Sequence, residues 1–226
     1  LEPYCLPTAV FSLDDFYLTH ADQQTLAKLH ADNLLIQHRG LPGTHDLPLA
    51  LNTFKSLRDR TTTKIPVHNK YAFEDQGDRA PEPDRTIVNI DLANTIEVVL
   101  FEGWSIGFRA ISPQSLLKKY NSAVAVLNSQ PQIYHDQLAH NTLKSLTTIN
   151  RTLRIYDTLT DHLDTFIHLK AADLQYVYKW RLQQEARLRS RKGFGMTNEQ
   201  VQKFVDGYFS AYELYSDEMY KGSVWD

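Results

Sequence analysis

Ala9-Val10-Phe11-Ser12-Leu13-Asp14-Asp15-Phe16-Tyr17 carries more architectural information than any other stretch of this chain. Val10 to Leu13 reads as a short buried strand, and two aspartates and two aromatics follow at its carboxyl end. Open α/β sheets gather their ligands outside the carboxyl ends of their strands. A carboxylate there is expensive to desolvate without a cation or a donor. Asp14 is therefore a candidate general base, or a metal-linked group, beside a substrate hydroxyl. A helix N-cap or local Asx-turn is the competing structural reading.

Working outward, residues 96–101 (Ile-Glu-Val-Val-Leu-Phe) form the strongest strand signal. Their mostly apolar character predicts a central parallel strand covered on both faces. Glu102-Gly103-Trp104 stands at its carboxyl end, as Asp14 does after the first strand. A carboxylate so placed commonly orders a hydrated magnesium ion beside a nucleotide, and Gly103 permits a sharp turn. The plainer reading of Glu102-Gly103 is a strand-ending turn.

Between the two strands, residues 21–37 carry leucines near helical spacing, and 39–46 (Arg-Gly-Leu-Pro-Gly-Thr-His-Asp) form a turn-rich loop. Asp46 is placed to cap a helix over 47–58. A short strand is expected at 64–67, with Pro66 favouring an edge. Residues 69–83 read as a long polar loop containing Gly77-Asp78-Arg79. Beyond Glu102, 115–160 is largely helical with breaks around Pro131. A short strand is expected at 165–169, a basic helix at 174–192 and an aromatic-rich helix at 198–215. Strands alternating with helices predict an α/β sheet with crossovers, organised as a single domain over 1–226.

The 226 residues are 42% hydrophobic with a formal net charge of -3. A packed core is feasible, and no bulk basic field points to nucleic acid or to an anionic membrane. No apolar run approaches the roughly 20 residues that span a bilayer, and no signal-peptide pattern opens the chain. The single Cys5 leaves no internal disulfide or cysteine zinc cluster; a reducing, cytoplasmic setting is expected. The start at Leu1 suggests a fragment or a processed product.

Other candidates each have a plain alternative. Arg79 can hold a carboxylate or phosphate bidentately, whereas a surface Asp78–Arg79 pair is the common explanation. Neither His45 nor His68 stands at metal-ligand spacing from another His or Cys. The basic helix holds Trp180, Arg181, Arg187, Arg189, Arg191 and Lys192, with Arg181 and Arg189 on nearly one face. It reads either as a mobile lid that neutralises a transferring phosphoryl group or as a solvated helix face. Gly193 and Gly195 would end it and permit hinge motion. The aromatics from Phe204 to Tyr215 read mainly as a packing stripe.

Five segments in order carry a resemblance: Ser12-Leu13-Asp14-Asp15-Phe16-Tyr17-Leu18-Thr19; Arg39-Gly40 through Thr44-His45-Asp46; Gly77-Asp78-Arg79; Val98-Val99-Leu100-Phe101-Glu102-Gly103-Trp104; and Trp180-Arg181-Leu182-Gln183-Gln184-Glu185 with Gly195-Met196-Thr197. Together they resemble the D-glycerate 3-kinases and their fungal ATP-dependent kinase relatives, in the phosphoribulokinase and uridine kinase branch of P-loop kinases. The resemblance implies an α/β three-layer sandwich with a mainly parallel sheet, of P-loop NTPase type. It implies ATP and Mg2+ as cofactors, a glycerate-like small-molecule acceptor, and neither nucleic acid nor membrane as partner. Residue by residue, Asp14 would be the base toward the acceptor hydroxyl, and Tyr17 would line the acceptor pocket. His45, Lys70, Asp78 and Arg79 would face the acceptor. Glu102, with Asp14, would sit at the magnesium ion. Arg181 and its neighbour Arg187 would belong to a lid, about 174–197, over the phosphates.

The chain also departs from that pattern. No Gly-rich loop ending in Gly-Lys-Ser or Gly-Lys-Thr occurs in it, so truncation at the N-terminus is expected. A last strand near the adenine is expected to be missing after Trp225-Asp226. Loss of a parallel strand would leave an exposed sheet edge. Where the family commonly has Tyr-Asp-Lys, His68-Asn69-Lys70 stands. Two further readings stay open: a kinase-fold interaction or regulatory protein without the phosphate loop, and a kinase for another acceptor such as a nucleoside or pantothenate.

Overall fold

The computed structural model describes residues 6–74, 76–91, 94–133 and 135–220. Cys5, Trp225, Asp226 and the side chain of Lys192 lie outside them. The strands are β1 (Thr8–Ser12), β2 (Thr63–Ile65), β3 (His68–Asn69), β4 (Asp78–Arg79), β5 (Thr86–Val88) and β6 (Val98–Glu102). The helices are α1 (His20–Leu29), α2 (Leu47–Arg58), α3 (Pro113–Ser129), α4 (Leu143–Leu153), α5 (Asp157–Thr160), α6 (Tyr176–Lys192) and α7 (Asn198–Tyr220). The chain divides into two compact units: Leu1–Gly107 with Thr152–Asp164, and Phe108–Arg151 with Thr165–Asp226.

The first unit is built on the parallel pair β1–β6, in register from Thr8 opposite Val98 to Ser12 opposite Glu102. Alternation along the strands sends Phe11 and Phe101 to one face. There their rings lie 5.4 Å apart, and Phe54 of α2 packs 5.6 Å from Phe11 and 5.0 Å from Phe101. Phe16, just past β1, closes the cluster 5.9 Å from Phe11. Tilted and edge-on ring pairs of this kind add to the area they bury. α2 presents Phe54 because Asp46 Oδ1 accepts from Leu49 N at 3.0 Å, capping the helix where the sequence predicts. The opposite face differs from the expectation of a strand covered on both sides. Val10 is 67% and Leu100 48% exposed, because no described element packs over that face. Among the described residues no third strand pairs with β1 or β6.

Two short antiparallel pairs complete the unit. β2 pairs with β5, Pro66 falling just past β2 where no ladder hydrogen bond is asked of it. β3 pairs with β4, His68 opposite Arg79 and Asn69 opposite Asp78, so the expected 69–83 loop is pinched into a hairpin.

The second unit is helical. Tyr178 of α6 packs with Val201, Val205 and Phe209 of α7 in a buried cluster that Leu174, Val177, Leu182 and Met196 extend. The α7 aromatics follow the expected stripe in part: Phe209 and Tyr215 are buried, whereas Phe204 is 40% exposed. α6 ends at Gly193, in the left-handed region at φ 76°, whose N–H donates to the Arg189 carbonyl at 2.8 Å. The strand expected at 165–169 does not form. That segment is irregular, with Ile167 81% and Leu169 90% exposed; its apolar residues have no neighbouring strand to ladder with.

Candidate active site

At the tip of β1 the two aspartates take different tasks. Ser12 caps the short 3-10 turn Leu13–Phe16, accepting from Asp14 N at 3.2 Å. Asp15 completes the capping box: its Oδ2 accepts from Ser12 N at 2.9 Å. Its Oδ1 accepts from His68 N, also at 2.9 Å, tying β3 to this turn. The capping role weighed for Asp14 thus falls to Asp15. Asp14 instead lies beside Tyr17, close enough for its charge to act on the phenol. Burial, seconded by the Asp14 charge, holds Tyr17 well above the ordinary phenol range. Tyr17 therefore keeps its proton beside Asp14.

Glu102 is at the same end of the sheet, directly opposite Ser12 and exposed. Gly103 follows it because the chain passes close to β1. A Cβ there would lie 3.0 Å from Leu13 Cβ and 3.1 Å from the Ile106 side chain.

The wall beside Asp14 comes from the turn-rich loop. Leu18 N donates to the Thr44 carbonyl at 2.9 Å and Asp46 N to the Phe16 carbonyl at 2.7 Å. These bonds hold the His45 ring stacked on Tyr17, centroids 4.6 Å apart, with His68 edge-on to Tyr17 at 5.3 Å. His45 Nδ1 lies 2.8 Å from the Tyr156 hydroxyl. Burial, with His68 adding a little, pushes His45 down to about 3. Burial, then the Arg39 guanidinium, pushes His68 down to about 4. Both imidazoles are neutral near pH 7. Arg39 donates to the carbonyls of Gln76 and Gly77. Gly77 has φ +77°, and a Cβ on it would collide with Arg39 Nη1 and His68 Nε2.

Asp78 and Arg79 lie at the same place but are heavily used by the fold. Asp78 Oδ1 accepts from His20 N at 2.9 Å and Arg79 N at 2.7 Å. Arg79 Nη2 donates to the Tyr17 carbonyl at 2.9 Å and to Asp46 Oδ2 at 3.1 Å. Lys70 is exposed, its ammonium 5.2 Å from the centroid of the Tyr71 ring. Asp14, Tyr17, His45, Asp78 and Arg79 are thus one connected set, joined by Arg39, His68 and Tyr156. Arg39 had a sequence signal, the turn-rich loop that it opens. Tyr156 had none, lying 111 residues from its partner His45.

In the second unit Arg181 makes a 2.8 Å ion pair with the buried Glu185 and lies 4.8 Å over the Phe204 ring. Arg187 is exposed. Arg189 donates to the Met196 carbonyl and to Asn198 Oδ1, latching the end of α6 to the start of α7.

No family model matches the chain. Among solved structures, the D-glycerate 3-kinase from Cryptococcus neoformans var. grubii superposes with a TM-score of 0.84 at 39% identity, over 96% of this chain and 72% of that one. The chain belongs to the D-glycerate 3-kinase family. Its fold is accordingly that of P-loop kinases, an α/β architecture around a parallel sheet. Other relatives of this D-glycerate 3-kinase family chain agree. The probable ATP-dependent kinase TDA10 of Saccharomyces cerevisiae is 36% identical over 92% of the chain. The chloroplastic D-glycerate 3-kinase of Arabidopsis thaliana is 32% identical over 94% of it. The chain spans 66% and 42% of the lengths of these two relatives.

Proposed function

We propose that this protein is an ATP-dependent kinase that transfers the γ-phosphoryl group to a primary hydroxyl of a glycerate-like acceptor. Two relatives are named D-glycerate 3-kinase and a third ATP-dependent kinase. The observation that carries the reading is the shared strand end: Glu102 beside Ser12 in the parallel register, with Asp14 two residues past Ser12.

In this reading Asp14 takes the proton of the acceptor hydroxyl as its oxygen bonds to the γ-phosphorus. The bond from that phosphorus to the β–γ bridging oxygen breaks, and ADP leaves. Tyr17, which keeps its proton, stands beside Asp14. His45, Lys70, Asp78 and Arg79 face the acceptor, Arg79 chiefly by holding Tyr17 and Asp46 in place and Asp78 by holding His20 N and Arg79 N. Catalysis of this kind comes from positioning and charge neutralisation more than from covalent chemistry.

A magnesium ion fits this site chemically. It takes one or two carboxylates and fills its remaining positions with water and phosphate oxygens. Glu102 and Asp14 supply that number, and the described residues hold no cluster of three or more acidic, His or Cys ligands that would suit a fully protein-caged metal. Glu102 and Asp14 would hold the ion, which supplies neutralisation of the phosphate charge. Arg181 and Arg187 keep the phosphate-neutralising role that the resemblance implies. No described helix is long and apolar enough to cross a membrane, and a reducing compartment such as the cytoplasm suits a chain with one cysteine.

The test is an acceptor panel. The protein expressed from its complete reading frame is given MgATP with D-glycerate, pantothenate or uridine, and ADP and the phosphorylated product are both measured. Stoichiometric phosphoglycerate and ADP support the reading. Turnover confined to pantothenate or uridine rejects the acceptor, and no turnover with any of the three rejects the reading.

A further inference from the structure

Tyr156 lies on the short 3-10 turn Arg154–Tyr156, far along the chain from the motifs that mark the site. Its hydroxyl oxygen accepts from Gly43 N at 2.8 Å and lies 2.8 Å from His45 Nδ1. Burial raises its pKa, so the phenol keeps its proton. The Gly43 amide can only donate. Among the described residues the one acceptor in reach of the phenol proton is His45 Nδ1, and the proton goes there.

That assignment dictates the tautomer. With Nδ1 accepting, the single proton of a neutral imidazole sits on Nε2. His45 is 6% exposed, and its Nε2 is buried with no hydrogen-bond partner among the described residues. A buried N–H left unpaired is costly. The ring is also held against rotation: one face stacks on Tyr17, which lies beside Asp14. His45 is thus a rigid, uncharged donor with an empty valence, one ring away from the proposed base.

We propose that Tyr156 is a positioning residue that fixes His45 as its Nε2–H tautomer, and that this N–H donates to an oxygen of the acceptor. The inference rests on the acceptor reading above and adds two things to it: a residue outside every recognised motif, and the chemical form in which His45 acts. A neutral donor recognises a carboxylate or hydroxyl oxygen without placing a second formal charge beside Asp14. It leaves the anionic group of the acceptor to pair with the guanidinium of Arg39, whose Nε is likewise buried and without a partner.

The experiment has a part that needs no catalysis. Nitrogen-15 NMR of the imidazoles in this chain near pH 7 reads the tautomer directly. The expected result is a protonated Nε2 and an unprotonated, hydrogen-bonded Nδ1 for His45, giving way to a mixed population in Tyr156→Phe. Adding D-glycerate should shift the His45 Nε2–H resonance. In the kinetic part, Tyr156→Phe should raise KM for D-glycerate about tenfold, the loss of roughly one well-made hydrogen bond, with kcat and KM for ATP changed less than about threefold. His45→Gln, which keeps a neutral N–H donor at a similar reach, should retain more acceptor affinity than His45→Ala. An Nδ1–H tautomer in the wild type overturns the proposal alone. D-glycerate that is phosphorylated normally without disturbing His45, or a Tyr156→Phe variant that folds with unchanged KM, overturns it too. A wild type that neither binds nor phosphorylates D-glycerate overturns the acceptor reading and the donor role together, while the tautomer result still stands as read.

Discussion

Ser12 and Glu102 are direct partners in the parallel register of β1 and β6. The carboxylate that ends β6 therefore stands level with the cap residue of the turn bearing Asp14. Two segments separated by most of the first unit's sequence deliver acidic groups to one end of one sheet. That is where an open α/β sheet gathers its ligands.

The adjacent aspartates should separate cleanly on mutation. Asp15 accepts from Ser12 N and His68 N, so Asp15→Ala leaves two partly buried donors without their acceptor. A loss of about 1–3 kcal/mol is expected. A lowered urea midpoint with an unchanged slope checks it; a midpoint equal to that of the wild type would show that the capping box carries no weight.

Arg79 is expected to resist conservative replacement. Its Nη2 serves the Tyr17 carbonyl and Asp46 Oδ2 together, and its side chain is 11% exposed. A lysine ammonium is a compact charge on a flexible stem and does not reproduce the rigid guanidinium that seats Nη2 between both acceptors. Arg79→Lys should lose about 1–2 kcal/mol, seen in thermal or urea unfolding, and should loosen the Tyr17–His45 stack.

Gly103→Ala tests the close passage of the chain beneath β1. The new methyl would begin 3.0 Å from Leu13 Cβ, which is 1% exposed and has little room to move. A cost of about 1–3 kcal/mol is expected from overpacking. Calorimetry measures it, and a neutral outcome would mean the turn after β6 is looser than described.

Stability should fall with acidification in the first unit. His45 at about 3 and His68 at about 4 are both depressed by burial from 6.5. Below 6.5 the unfolded chain takes up protons that the folded chain refuses. Stability is thus full above about 6.5 and is lost as pH drops toward 4 and 3. Glu213 in the second unit has the opposite sign. Burial, then Asp136, raises it from 4.5 to about 7, so its contribution is full below 4.5 and is lost as pH rises through 7. Hydrogen exchange between pH 4.5 and 7 should show protection rising with pH near His45 and falling near Glu213.

The features written in local sequence were legible. Asp46 announces α2, the apolar run before Glu102 announces β6, and Phe209 and Tyr215 of the aromatic stripe announce the packed face of α7. Asp14 and Glu102 were placed by the general rule about strand ends. What could not be read depended on contacts distant in sequence. Nothing near Tyr156 says that it bonds His45, and only packing puts Arg39 beside Gly77. Residues 165–169 were misread because a short apolar run is compatible with a strand, whereas a strand also needs a neighbour to pair with. The split between Asp14 and Asp15 was invisible because both have the same chemistry, and only the capping geometry tells them apart.

The role of Asp14 as the base can be tested most directly by single-turnover phosphoryl transfer from MgATP to D-glycerate, comparing wild type with Asp14→Asn in the protein from its complete reading frame. Removal of a general base should slow transfer by about 10²–10⁴-fold, with ATP affinity, measured by calorimetry, changed far less because Glu102 remains to hold the magnesium ion. Transfer by Asp14→Asn at the wild-type rate would contradict the account.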